Sequence, residues 1–249
     1  MNRDDLLLQV TNRTKGLRAL VYGPSGSGKT YFGLTMPRVF VFDFDGGLLT
    51  ALHPALPADF EYESYADLSD GGITAFEKTW NAVMARDDIE SVFVDSLTTM
   101  ADHAMRRILK LDGKAGKIPQ IQHYNALMNQ LRAFFYAIPP DAKKKHVVVS
   151  AHEQFMENKS DDTSRTAPLI VGKLVGQIGM WFDEMYHAEM SGMKASPKFT
   201  LRTIGSSGLD AKSRLRAIAP IDVNEPNDFR LIWKKVVSAT ERKEDKVEK

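Results

Sequence analysis

The sequence predicts an α/β fold built as one large domain, and three observations predict it. Apolar, β-rich runs alternate with segments whose apolar residues recur at helical spacing, the pattern of successive βαβ units. A glycine-rich loop, Gly23 to Thr30 (GPSGSGKT), stands between one such run and one such segment. The chain has 249 residues with 43% hydrophobic content, enough for a sizeable core, and no Pro/Gly/Ser-rich linker divides it.

Residues 1–16 hold Asp4 and Asp5 beside a short apolar run and predict a helix or an arm. Leu17 to Tyr22 (LRALVY) predicts a strand, and Tyr31 to Met36 the start of a helix that Pro37 stops. The loop between them has the form G-x-x-x-x-G-K-[ST], a phosphate-binding P-loop. Gly23, Gly26 and Gly28 let the backbone turn tightly, so that its N–H groups approach phosphate oxygens. The helix that follows offers free N–H groups and a positive dipole end to the same anion. Gly23, Pro24, Ser25, Gly26, Ser27, Gly28, Lys29, Thr30 and Tyr31 are therefore expected to cradle a nucleotide. Lys29 is expected on the β- and γ-phosphates, and the Thr30 hydroxyl on Mg²⁺.

Arg38 to Asp43 (RVFVFD) predicts the second strand, ending in Asp43-Phe44-Asp45-Gly46-Gly47. Strand alternation sends Asp43 and Asp45 to one side if the strand continues. One carboxylate then suits a general base or a water-orienting group, and the other, Asp43, a position near Mg²⁺. Phe60 to Tyr65 predicts a short strand and Thr74 to Arg86 a helix. Ser91 to Val94 predicts a buried strand tipped by Asp95, the Walker-B pattern of a carboxylate that holds Mg²⁺. Leu97 to Leu111 and Gln120 to Ile138 predict helices on either side of a basic glycine loop, Asp112 to Pro119. His146 to Ala151 predicts a strand tipped by His152 and Glu153, preceded by a solvated turn at Lys143 to Lys145.

Gln154 to Ala167 (QFMENKSDDTSRTA) reads as a long polar, mobile loop. Pro168 to Trp181 predicts a helix despite three glycines. Phe182 to Met190 and Lys198 to Ile204 predict a hairpin across Ser191 to Pro197, and Ser206 to Ala217 a polar loop with Lys212 and Arg214. Asp228 to Ala239 predicts the last helix, with a charged tail over 240–249.

The net charge of +1 creates no global field for a polyanion, so any nucleic-acid site must be a local patch. The absence of cysteine excludes disulfides and thiolate metal sites and suits a reducing cytosol. The N-terminus is unlike a signal peptide and no run is long enough to span a bilayer, so a cytoplasmic protein is expected.

The order of these features resembles the RecA/RadA recombinase core over Leu17 to Ile218. More narrowly, it looks like the compact RecA-like ATPases of bacteriophages associated with single-strand annealing. The resemblance implies a RecA-like P-loop NTPase core over 17–239: a central, mostly parallel sheet with helices on both faces and a C-terminal antiparallel hairpin. It implies that the Walker-A and Walker-B strands flank a third. It implies catalytic roles for Lys29, Asp45, Asp95 and His152. Asp45 falls where the family carries a glutamate that activates water, and His152 where recombinases often carry a γ-phosphate-sensing glutamine. The first DNA loop would hold Lys114 and Lys117, and the second Lys159 and Arg165. Lys212 and Arg214 look like the basic pair that reaches a neighbouring subunit's ATP.

The implied ligands are ATP, Mg²⁺ and single-stranded DNA, the implied assembly is a homo-oligomer with ATP between subunits, and the implied partner is a single-strand DNA-binding or recombination protein. Two other readings stay open: a P-loop kinase acting on a small acceptor, and a nucleotide-gated scaffold that hydrolyses weakly.

Overall fold

A computed structural model of the protein describes residues 16–57, 59–66, 72–138, 145–158, 163–193 and 196–247. Strand β1 (Arg18–Tyr22) leads through the glycine loop into the short helix α1 (Lys29–Leu34). Strand β2 (Val39–Asp43), a 3₁₀ turn (Leu48–Leu52), edge strand β3 (Glu61–Ser64) and helix α2 (Ile73–Ala85) follow. Strand β4 (Ser91–Asp95), helices α3 (Leu97–Leu111) and α4 (Ile121–Ala137) and strand β5 (His146–Ala151) complete the parallel core. Next come β6 (Glu153–Asn158), β7 (Thr163–Pro168) and 3₁₀ turns at Gly172–Gly176 and Ile178–Met180. The chain closes with β8 (Glu184–Met193), β9 (Ser196–Arg202), β10 (Lys212–Ser213), β11 (Asn224–Pro226) and helix α5 (Phe229–Val247).

The main sheet runs β11-β9-β8-β1-β5-β4-β2-β3, with β10 beside β8. Every pairing from β8 to β3 is parallel; β9, β10 and β11 add antiparallel strands at the other end. The expected architecture is present, and β1 and β4 flank β5. Alternation along the strands feeds two cores. Leu20, Tyr22, Phe42, Val94 and Val149 face one layer with Phe76 and Trp80 of α2, Met100 of α3 and Leu131 and Phe135 of α4. Ala19, Val21, Val41, Phe93 and Val148 face the other, with Phe32 of α1 and Phe229, Ile232 and Val236 of α5.

Several expectations are corrected. The polar stretch expected as a mobile loop is a two-stranded hairpin, β6 with β7, paired from Glu153↔Pro168 to Asn158↔Thr163. Backbone pairing in such a segment needs no apolar alternation, so the sequence carried no strand signal. Pro168 to Trp181 forms 3₁₀ turns rather than a helix. Its glycines weaken helical continuity, and Gly172 takes φ +55°. Strands β8 and β9 pair as far as Met193↔Ser196, so their hairpin is tighter than expected. Lys145 is no solvated turn residue: it is 5% exposed, and its ammonium donates to the carbonyl oxygens of Arg86 and Ile89. The charged tail continues α5 as far as Val247. Residues 1–15, expected as an arm, and Lys159 lie outside the described residues.

Phe42 binds β2 to α2 through ring contacts with Phe40, Tyr65, Phe76 and Trp80. Phe42→Ala should cost about 3–5 kcal/mol of unfolding free energy in urea, the usual penalty for an aromatic cavity. A loss below about 1 kcal/mol would mean that this cluster does not hold the β2 edge.

Candidate functional site

The site forms at the carboxyl ends of β1, β2, β4 and β5, where a parallel α/β sheet leaves room for a ligand. Strand register brings these ends level: Tyr22 pairs with Ala151, and Asp43 with Asp95. Gly23, Asp45, Asp95 and His152 therefore emerge along one edge, around a cleft of about 1300 Å³. Ser25, Gly26, Gly28, Lys29, Thr30 and Tyr31 line it on the loop side.

The loop packs too closely to admit side chains at two glycines. A Cβ on Gly23 would lie 2.4 Å from the Ala188 carbonyl oxygen, and one on Gly28 2.3 Å from Asn227 Nδ2. Gly28 also takes φ +87°, and its carbonyl accepts from Asn227 Nδ2 at 2.9 Å. Helix α1 starts at Lys29, so the first free N–H groups of the helix face the cleft. Ser27 is buried, and its Oγ has no hydrogen-bond partner among the described residues.

Lys29 Nζ donates to the carbonyls of Gly23 at 2.9 Å and Pro24 at 2.8 Å. Burial lowers its pKa; the nearby Asp95, Asp45 and Glu153 carboxylates act in the opposite sense. Asp95 is fully buried and accepts from Thr30 Oγ1 at 2.7 Å and Ser150 Oγ at 2.5 Å. Burial pushes its pKa up to about 6, against the two hydroxyl donors. Asp45 Oδ1 accepts from Ser96 Oγ at 2.9 Å, and His152 Nε2 lies 3.5 Å from Asp45 Oδ2. Ser96 also caps α3, accepting from the Thr99 amide. The Thr98 hydroxyl accepts from the His152 amide at 3.0 Å and donates to the Leu169 carbonyl, fixing the tip of β5.

Asp43 is corrected. The strand ends at Asp43, and its Oδ1 accepts from the Gly46 amide at 2.8 Å and the Gly47 amide at 3.3 Å. It shapes the turn that aims Asp45 and does not line the cleft. Alternation did not carry past the strand end, because the carboxylate satisfies its own turn. Burial raises its pKa, opposed by these two amides.

Lys212 and Arg214 do not reach the cleft of their own chain. Lys212 pairs with Met185, itself level with Leu20, three residues before Gly23. Arg214 NH1 pairs with Asp183 at 2.8 Å, beside Arg18 on the same carboxylate. Lys114 and Lys117 follow α3, whose fifteen residues carry them about 22 Å from its start. Lys114 Nζ there holds Asp112 at 2.8 Å. Arg165 sits on β7 opposite Met156, with NH1 3.5 Å from Asp210 Oδ2.

Sequence reasoning missed other residues of the cleft wall. Thr99, His103 and Arg106 line it from α3 at spacings of four and three, a helical stripe readable once Ser96, next to Asp95, is known to cap the helix. Lys198, Phe199 and Asn227 come from distant strands and loops and left no local signal.

The AAA domain family model matches residues 15–215. The chain belongs to the AAA domain family. As a member of it, the protein is a P-loop NTPase-type enzyme, consistent with the cradle at Gly23 to Thr30. No curated protein matches the chain. Among solved structures it is similar to the flagellar accessory protein FlaH from Methanocaldococcus jannaschii, with 10% identity, a TM-score of 0.40 and 90% of each chain covered. It is also similar to a KaiC-like protein from Pyrococcus horikoshii OT3, with 10% identity, a TM-score of 0.41, and 75% of this chain and 77% of that one covered. Among the described residues no helix is long and apolar enough to cross a membrane.

The donor set fits Mg²⁺: a hydroxyl and a carboxylate oxygen 2.7 Å apart suit a hard cation that keeps several waters. Thr30 and Asp95 would hold it, and bound there it would neutralise phosphate charge.

Without a cation, the Asp95 carboxylate is a buried charge, so its protonated form is favoured by folding. Its stabilising contribution is complete below the ordinary carboxylate pKa and is lost as pH rises through about 6. Asp95→Asn should therefore stabilise the nucleotide-free, chelator-treated protein at pH 8 by about 1–3 kcal/mol, with the gain vanishing near pH 4. Urea unfolding at both pH values measures this, and an equal difference at both would exclude the buried-charge account.

Proposed function

We propose that this AAA-domain protein hydrolyses ATP with Mg²⁺ in the cleft and couples the nucleotide state to a grip on single-stranded DNA, in strand annealing or recombination. The main support is the root of the β6–β7 hairpin. The hairpin begins at Glu153, directly after His152, whose Nε2 is 3.5 Å from the Asp45 carboxylate. His187 Nε2 meets Glu153 Oε2 at 2.8 Å and ties that root to β8. A phosphate beside Asp45 thus acts one residue from the hairpin. Phe155 on β6 is 65% exposed and offers a face on which a base can stack. Arg165 on β7 offers a cation to the strand's phosphates.

In this reading Lys29 leaves the Gly23 and Pro24 carbonyls for the β- and γ-phosphates, a stronger, charge-assisted partner. Asp45, held by Ser96, accepts the proton of the attacking water. His152 orients that carboxylate and reports its occupancy to the hairpin. Lys212 and Arg214, displaced from their own cleft, would complete the cleft of a neighbouring subunit in a homo-oligomer.

The deciding experiment is ATP hydrolysis with and without single-stranded DNA, together with sizing in ATP. DNA-stimulated turnover with ATP-dependent assembly is expected. Turnover only with a small acceptor would replace this reading by a kinase, and nucleotide binding with neither DNA affinity nor turnover by a scaffold. Lys29→Ala should lower turnover at least ~100-fold, as for loss of a transition-state donor. Phe155→Ala should weaken DNA binding, read by fluorescence anisotropy with a non-hydrolysable ATP analogue, by about 1–3 kcal/mol; unchanged affinity removes the hairpin from the DNA site. Mixing Lys29→Ala with Arg214→Ala subunits should restore part of the activity. Absence of rescue between two folded variants would exclude Arg214 from the neighbour's site.

A further inference from the structure

The cleft is larger than the nucleotide reading requires. Its volume of about 1300 Å³ exceeds the roughly 300–1000 Å³ of common small-molecule pockets. The P-loop side accounts for the phosphates. The wall past Asp45 belongs to α3 and the end of β2. Ser96 Oγ bonds both Asp45 and the Thr99 hydroxyl, which sets Thr99 beside the Asp45 carboxylate. One turn on, the His103 ring meets the Phe44 ring edge-on at 5.8 Å. A further turn on is Arg106, which also lines the cleft.

Arg106 stands out by its lack of a partner. Among the described residues it makes no hydrogen bond and no ion pair, although Asp102 lies four positions before it. Its neighbour Arg107, facing away from the cleft, holds Glu77 at 3.9 Å. The Asp45 carboxylate, which also lines the cleft, is already engaged by Ser96 and His152. A cleft wall with an unpaired guanidinium, an imidazole and a hydroxyl at successive helical turns has the chemistry of an oxyanion site, since guanidinium presents a planar fork to phosphate oxygens.

We propose that Thr99, His103 and Arg106 form a second subsite of the cleft, which takes a phosphate group on the far side of Asp45 from the P-loop. The inference rests on the nucleotide site proposed above and adds a second ligand position to it. The phosphate has two sources: the group cut from the nucleotide, held before release, or a phosphomonoester carried by a second ligand. Both place a tetrahedral dianion against Arg106.

The test is a phosphorus NMR titration of the protein loaded with ADP and Mg²⁺, with inorganic phosphate and ribose 5-phosphate as probes. Wild type is compared with Arg106→Gln and Arg106→Lys, and displacement of a fluorescent nucleotide is measured in parallel. The expected result is binding of at least one probe, weakened tenfold or more in Arg106→Gln and largely kept in Arg106→Lys. Tighter binding of inorganic phosphate assigns the subsite to the product; tighter binding of ribose 5-phosphate assigns it to a second ligand. Binding of neither probe to wild type, or equal binding to wild type and Arg106→Gln, overturns the subsite. Arg106 is on an exposed helix face, so its variants are expected to fold, and circular-dichroism melts check this. Failure of wild type to bind the fluorescent nucleotide overturns the nucleotide reading itself. Nucleotide binding without an Arg106-dependent probe overturns only the subsite.

Discussion

The buried Asp95 carboxylate is the constraint on which the site depends. It is fully enclosed, yet two hydroxyls from separate elements donate to it: Thr30 at the start of α1 and Ser150 on β5. A desolvated charge is costly, and hydrogen bonds to it recover only part of the cost. The folded chain therefore holds three elements in register around a carboxylate whose charged form burial disfavours. A cation at the same oxygens would relieve that cost. The arrangement keeps the P-loop helix, the Walker-B strand and β5 aligned on one carboxylate before any ligand arrives.

A second set of bonds extends this alignment outward. Ser96, next to Asp95, caps α3 and holds Asp45. Asp45 faces His152, and the residue after His152 opens the hairpin and meets His187 on β8. Each link crosses from one strand end to another, so the cleft edge is a continuous polar seam over a dry sheet. The strands below it, such as Val92 to Val94 and Val147 to Val149, are fully buried. Close packing there leaves little freedom for the seam to shift piecemeal, which is the condition for a change at Asp45 to be felt at Glu153.

The parallel core was legible because its strands are short apolar runs and its helices carry apolar residues at helical period. Leu97–Leu111 and His146–Ala151 fall where the pattern places them. The hairpin β6–β7 was not legible, because its pairing rests on main-chain bonds between polar residues. Gly172, Gly176 and Gly179 sit among apolar residues that mimic helical spacing, and the segment instead packs Leu174, Ile178 and Phe182 through 3₁₀ turns. In the site, the P-loop, Asp45 and Asp95 stand out locally. Asn227 does not, though it contacts Gly28 from 199 residues away.

The sequence by itself determined the phosphate cradle, the order of strands and helices in the parallel core from β1 to β5 and the carboxylates at the strand tips. Those depend on residues near one another in the chain, where spacing and side-chain type act directly. Only the tertiary structure decided which of two nearby aspartates faces the cleft, because the strand ends at Asp43 and the next turn consumes its carboxylate. It also decided that Lys212 and Arg214 lie apart from their own cleft and that Arg106 lies within it. Those placements follow from sheet register and helix packing, which sum over the whole chain and leave no mark in any one stretch.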